Sequence, residues 1–264
     1  MDIQELLPGL KKWFDAYTHQ FDSQNRVVQK SMDLKRDHTR RVCEAAVDIG
    51  HSLRLSAHDL AMAEAAALLH DIGRFEQYRR YRTFSDSRSA DHAALGVKVI
   101  DDEGVLEPLD SKTAGVIRRV VKYHNRAALP AHADPRCLFS LKLIRDADKV
   151  DIWHVVTDYY RTAANGRNPT IELDLPDTPE ISDKVHETLM EGRLVQMTDL
   201  RTLNDFKMLQ MGWVYDLNFP RTFEMVAEKG YLDMLRDALP RGNSRVADVY
   251  AKTRAHLKRN NSPR

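Results

Sequence analysis

Six side chains of the types that hold and use divalent metals occur at His38, His70, Asp71, His92, His124 and Asp148. Imidazole nitrogen and carboxylate oxygen together suit first-row transition metals, whereas calcium prefers an all-oxygen shell and structural zinc is often thiolate-rich. Water held between two such cations loses a proton near neutral pH and becomes a nucleophile, so the set could drive a hydrolysis. Six protein ligands exceed what one catalytic metal uses while keeping positions open for water and substrate, which favours two metals.

Helical faces, stepped at about 100° per residue, tell which histidines point inward. His38 is in register with Leu34, Val42, Ala45 and Ile49, so it lies on an apolar stripe. His70 sits above Ala63, Ala66 and Ala67, and His92 shares a face with Leu95, Gly96 and Val99. His124 falls in line with Ile117, Val120 and Val121, as Asp148 does with Leu141, Ile144, Ile152 and Val155. His51 and His154 turn away from these faces, and His58 sits in a first helical turn; all three read as ordinary. A single histidine on an apolar face is more often a core residue bonded to a carbonyl than a ligand. Five such positions on successive helices, with Asp71 beside His70, are a different matter, because burying that many ionisable groups without a strong partner is costly.

The elements that carry these residues are helical: long segments show helical period and almost none alternates, so the fold class is all-α. Helices are expected over 34–53, 59–72, 91–100, 111–124 and 138–160. Ser56 and Asp110 are the expected caps of the second and fourth. The polar, basic stretch 78–89 reads as a loop or broken helix, and 130–135 as a loop. Gly166 and three prolines between Asn165 and Pro179 separate a helical core, 1–162, from a helical C-terminal lobe, 181–264, expected to pack on it across a loop at 163–180. The end, KRNNSPR, is expected to fray.

Composition restricts the partners. Forty basic and thirty-nine acidic residues among 264 leave a formal charge of +1, which gives no field for nucleic acid or anionic lipid. Any affinity for phosphate must therefore be local. Cys43 and Cys137 are the only cysteines, without CxxC spacing, and read as structural thiols in a reducing compartment. MDIQELLPGLKKW lacks a basic stretch followed by an apolar one, and no apolar run has the length of a membrane span. The expectation is a cytoplasmic protein with no membrane partner; no exposed apolar heptad fixes an oligomeric state. A GxSxG elbow, a glycine-rich phosphate loop and paired cysteines are all missing. Basic and aromatic residues interleave in FEQYRRYRTF, which reads as a substrate-site rim rather than a stacking strip for single strands. Phe206, Met208, Met211, Trp213 and Phe219 read as core of the second lobe or a cover over the site.

The motif LLHDIGRF at 68–75 resembles the HD superfamily, named for its adjacent His and Asp. His38 in KRDHTRRV matches the family's first histidine, His70 and Asp71 the HD pair, His92 in DHAALG and His124 in KYHN the further histidines of dinuclear members, and Asp148 in RDADKVD the final aspartate. The resemblance spans roughly 35–153 and implies an HD-domain helical bundle with a helical C-terminal extension. It further implies that Asp71 bridges two metals, with His38, His70 and Asp148 on one and His92 and His124 on the other. The HD-GYP phosphodiesterases carry a second histidine and a GYP tripeptide where this chain reads YHNRAALP, which argues against a cyclic dinucleotide. The six-ligand pattern is closer to HD-type dinucleoside tetraphosphate hydrolases and to di-iron oxygenases on the same scaffold.

Phosphoester chemistry needs cations beyond the metals, because charge gathers on the non-bridging oxygens. Arg74, three residues past the HD pair, and Lys149, beside Asp148, are the expected phosphate contacts and, with Asp71, the catalytic set. Arg79, Arg80, Arg82 and Arg88 crowd the stretch before His92, and Arg118, Lys122 and Arg126 lie around His124, where solvated surface charge explains them as well. Asp151, a turn past Asp148, could orient a ligand histidine or form an exposed salt bridge. The expected function is a metal-dependent phosphohydrolase acting on a nucleotide or another small phosphorylated metabolite, through a hydroxide bridging two divalent ions. Manganese, iron or another first-row metal suits the ligands, with magnesium also admitted. The alternatives are a di-iron oxygenase and a non-enzymatic nucleotide or metal sensor.

Overall fold

Side-chain caps set where most helices begin. The computed structural model describes residues 1–126, 134–162 and 169–261. It is 74% helical and has no strand among the described residues. Asp2 caps α1 (Ile3–His19), Asn25 caps α2 (Arg26–Ser52) and Ser56 caps α3 (Ala57–Leu69). Asp91 caps α5 (His92–Asp102) and Asp110 caps α6 (Ser111–Tyr123), each through backbone N–H groups of the first turn. Such caps satisfy donors that the helix leaves without partners and are worth about 1 kcal/mol each. Between α3 and α5 lies α4 (Gly73–Tyr81), and α7 (Pro135–Thr162) follows α6.

One expectation needs correction. The helix expected over 59–72 stops at Leu69, so His70 and Asp71 occupy the turn into α4. The stretch 78–89, expected as a loop or broken helix, is a broken one: α4 continues to Tyr81, with Phe75, Gln77 and Tyr78 buried and Arg79 and Arg80 paired with Glu76. Arg82 ends that helix in the left-handed region at φ 56°. A short 3₁₀ turn, Asp86–Arg88, then leads to α5. The loop expected at 130–135, the start of the one at 163–180 and the last residues of the expected frayed end lie largely outside the described residues.

The described chain divides into two compact units, Met1–Asp148 and Lys149–Arg264, with the division inside α7. The sequence had suggested a boundary in the loop 163–180. In the first unit α2 packs on α3, α3 on α1 and α6, and α5 on both α4 and α6. Phe14 and Phe21 meet Phe75 at ring-centroid distances of 6.2 and 5.7 Å, and Ile49, Leu69, Ile72 and Ile117 are fully buried. Each such side chain contributes about 1.5–3 kcal/mol over its exposed state. Gly73 allows α4 to reach α5: a Cβ there would lie 2.2 Å from the His92 carbonyl oxygen and 2.4 Å from the Gly96 nitrogen. Neither backbone atom could yield cheaply, so glycine is what permits the HD turn to approach His92.

The second unit continues with α8 (Pro169–Glu172), α9 (Asp183–Met190), α10 (Leu203–Gly212), α11 (Pro220–Lys229), α12 (Tyr231–Asp237) and α13 (Ser244–Asn260). Every residue of α10 is buried, and α9, α12 and α13 pack around it. Phe206, Met208 and Met211 belong to its apolar core with Trp153, Leu189 and Leu235, whereas Trp213 packs against the edge of that core. No described helix is long and apolar enough to cross a membrane.

Candidate metal centre

Three helix termini and two helix interiors bring the chemistry-bearing residues together. His38 projects from the middle of α2, His70 ends α3, His92 opens α5, His124 ends α6 and Asp148 lies within α7. His38 Nε2 is 3.3 Å from His70 Nε2, and His92 Nε2 is 3.0 Å from His124 Nε2. Asp71 stands between the pairs. Its Oδ2 is 3.5 Å from His38 Nε2 and 4.0 Å from His70 Nε2, while its Oδ1 is 3.3 Å from His92 Nε2 and 3.6 Å from His124 Nε2. Asp148 Oδ1 joins the first pair at 3.2 Å from His38 and 3.8 Å from His70. One carboxylate thus offers an oxygen to each of two histidine pairs. His38, His70, Asp71, His92 and His124 are all buried, and Asp148 is the most open of the six.

The protons on these rings are fixed by what lies behind them. His70 Nδ1 is 2.6 Å from the Ala67 carbonyl oxygen and His124 Nδ1 is 2.8 Å from that of Val121. A carbonyl only accepts, so Nδ1 donates in both and the neutral ring turns a bare Nε2 lone pair inward. His92 Nδ1 donates to Asp86 at 2.7 Å, with the same result. Lone pairs facing each other at 3.0 Å repel unless a proton or a cation intervenes. For His92 a proton is disfavoured: burial, and then the Arg74 charge, lower its pKa to about 4 despite the Asp86 hydrogen bond. Burial alone would raise the Asp71 carboxyl, but the charges of Lys35 and Arg74 outweigh it and hold it well below the usual carboxylate range. Burial is likewise overcome at Asp148, which lies beside His38 and His70, and its carboxyl stays well below the usual carboxylate range. The donor set therefore fits divalent metal: the nitrogen separations match two ligands each about 2.0–2.1 Å from one cation, and the groups His38–His70–Asp71 and Asp71–His92–His124 each converge within 4.8 Å.

A third convergence, Asp86–Asp91–His92, is of another kind. Asp91 caps α5 and accepts from Arg126 at 2.6 Å, and Asp86 accepts from His92, Arg74, Gln77 and Asn125. Its oxygens are taken up by hydrogen bonds.

Cations around the centre divide into those directed at it and those engaged elsewhere. Arg74 Nε lies 3.4 Å from Asp71 Oδ1, and its NH1 donates to the Phe84 carbonyl and to Asp86. Lys149 pairs with Asp216 at 2.7 Å within the second unit. Arg118 pairs with Asp101, and Lys122 lies over the Tyr123 ring. The sequence reading missed Lys35, whose Nζ donates to Asp71 Oδ2 at 2.8 Å and sits 5.3 Å from the centroid of the Phe84 ring. Three residues before His38, it falls on the same side of α2, so the face test applied to cations as well as histidines would have found it. Asp86 was missed too, and no periodicity marks it. His51 and His154 are exposed, and His58 meets Asp2. Asp151 is buried. Cys43 and Cys137 are buried and free, with burial pushing the Cys43 thiol up to about 12.

The sequence model of the HD domain family matches residues 36–153. The chain carries an HD domain. The matched HD domain holds all six converging residues, and Lys35 falls just outside it. HD domains bind divalent metals and belong in general to metal-dependent hydrolases acting on small molecules. Comparison with curated proteins and with solved structures gave no match.

Proposed function

We propose that this protein is a metal-dependent phosphohydrolase that uses two divalent ions to cleave a phosphoester or phosphoanhydride of a nucleotide or another small phosphorylated metabolite. The observation that carries the reading is Asp71, which turns one oxygen to each of two histidine pairs while two cations, Lys35 and Arg74, close on the same carboxylate. His38, His70 and Asp148 would hold one ion, His92 and His124 the other, and Asp71 both. Divalent ions supply Lewis acidity there, acidifying water and drawing charge from phosphoryl oxygens. In the hydrolysis the water oxygen forms a bond to phosphorus, the bond from phosphorus to the leaving oxygen breaks, and the released water proton is passed on to solvent or the leaving group.

The chain's own residues position the anion and steady its charge. Arg74 and Lys35 are assigned to the non-bridging oxygens, since each is held at the edge of the centre and each supports charge-assisted hydrogen bonding. Lys149 is proposed as a third contact from its place beside Asp148. Asp216 competes for its ammonium, which gives it the smallest share. Burial of the histidines excludes bulk water and strengthens every electrostatic contact inside.

A panel of generic phosphoesters and nucleotides, run with manganese or iron and with oxygen present or absent, tests the reading. Turnover independent of oxygen is expected, and Asp71→Ala should lose metal and reduce turnover by at least about 10³-fold, the several kcal/mol that such ions supply. Full activity in that variant would overturn the proposal. Oxygen uptake without phosphate release would select the oxygenase instead.

A further inference from the structure

The four metal-facing histidines do not share one way of fixing their rings. His70 and His124 close their helices, and each Nδ1 reaches the carbonyl three residues back on its own helix, at 2.6 and 2.8 Å. His92 is the first residue of α5, so no turn of its own helix lies behind it to offer a carbonyl. The ring is held by a side chain instead: Asp86 Oδ2 accepts from His92 Nδ1 at 2.7 Å and Oδ1 at 2.9 Å. The same carboxylate accepts from Arg74 NH1 at 3.0 Å, Gln77 Nε2 at 2.8 Å and Asn125 Nδ2 at 3.3 Å. Closing the turn between α4 and α5 would not by itself require those partners. They come from α4, from the first residue of α5 and from the residue following His124, which are the segments that carry the His92–His124 half of the centre and its cation.

We propose that Asp86 is the positioning residue of the His92–His124 half of the centre: it fixes His92 with its proton on Nδ1 and its Nε2 free, and it holds the Arg74 guanidinium against Asp71. The inference rests on the reading of Asp71, His92 and His124 as metal ligands. A carboxylate behind a ligand imidazole raises its donor strength and sets its tautomer, and removing such a partner typically weakens metal affinity about 10- to 100-fold. His38 and His70 have no contact with Asp86 among the bonds described, so the first half of the centre should be spared.

Manganese titration by calorimetry, with metal analysis of the dialysed protein, separates the two halves. Wild type is expected to take two ions, and Asp86→Asn, which keeps shape and removes charge, to bind one unchanged and the second about 10- to 100-fold more weakly. Asp86→Glu should recover part of that loss. Equal weakening of both ions, or none, would overturn the proposal. Nitrogen-15 spectra of the imidazole rings in the wild-type metal-free protein need no variant: His92 protonated on Nδ1 supports the assignment, and His92 protonated on Nε2 overturns it. A wild type that takes no manganese but shows His92 protonated on Nδ1 would refute the metal-centre reading, and with it the ligand role given to His92, while leaving the Asp86 contact intact.

Discussion

Both units bury polar groups, and they satisfy them in different ways. In Lys149–Arg264, Asp205 accepts from the Ser182 and Arg201 backbones, Asn204 donates to the Thr178 carbonyl, Lys207 to that of Ala238 and Thr253 to that of Val249. These are internal closures, ending on backbone. In Met1–Asp148, by contrast, the inward nitrogens of four histidines face one another and two carboxylates, with their outer nitrogens already used where a partner is described. Buried polar groups that end on backbone stabilise a fold, whereas buried donor atoms that converge on each other need something supplied from outside. The comparison assigns stability to the second core and chemistry to the first.

Variants can break that division. Leu235→Ala, which empties a fully buried position of the second core, should destabilise by about 2–5 kcal/mol in urea titration, with manganese stoichiometry of the folded protein unchanged. A large loss of metal in that variant would contradict the division.

Acid should act on the first unit through His92. The folded, metal-free protein holds His92 at about 4 against 6.5 for the free side chain. Between those values the unfolded chain binds the proton and the folded chain does not, so stability falls as pH drops from 6.5 toward 4. Asp71 and Asp148 are lowered below 3.8, so their contribution is present above that value and is lost only as pH falls further. Urea midpoints measured in chelator across pH 3 to 7 should show both windows. In His92→Gln the upper slope should shrink and the lower one persist.

Smaller effects separate the cations. Lys35→Met should lower kcat/KM for a phosphorylated substrate by about tenfold or more, as expected for a charged hydrogen bond worth ~1.5–3 kcal/mol. Lys149→Met, which gives up an ammonium already paired with Asp216, should change KM by no more than about twofold, near the modest value of a partly exposed ion pair. A reversal of that order would move the anion contact from α2 to α7.

Much of this was legible in the chain itself. Helical period gave the all-α class, Ser56 and Asp110 cap where the sequence places them, and the stripe test picked five of the side chains that converge, with Asp71 found beside His70. It worked because period reports which face of a helix is buried, and ionisable residues on that face must meet a partner. The pairing of atoms across helices was beyond it. That His70 and Asp71 sit in a turn follows from α3 stopping at Leu69 and from the backbone contact at Gly73, which tertiary packing imposes. Lys35 reaches Asp71, and Asp86 reaches His92 from a 3₁₀ turn outside any periodic segment. Sequence by itself determined the inventory of candidate side chains and the helical faces of most of them; only the tertiary structure decided which oxygen faces which nitrogen pair, because those separations depend on how close two backbones can come.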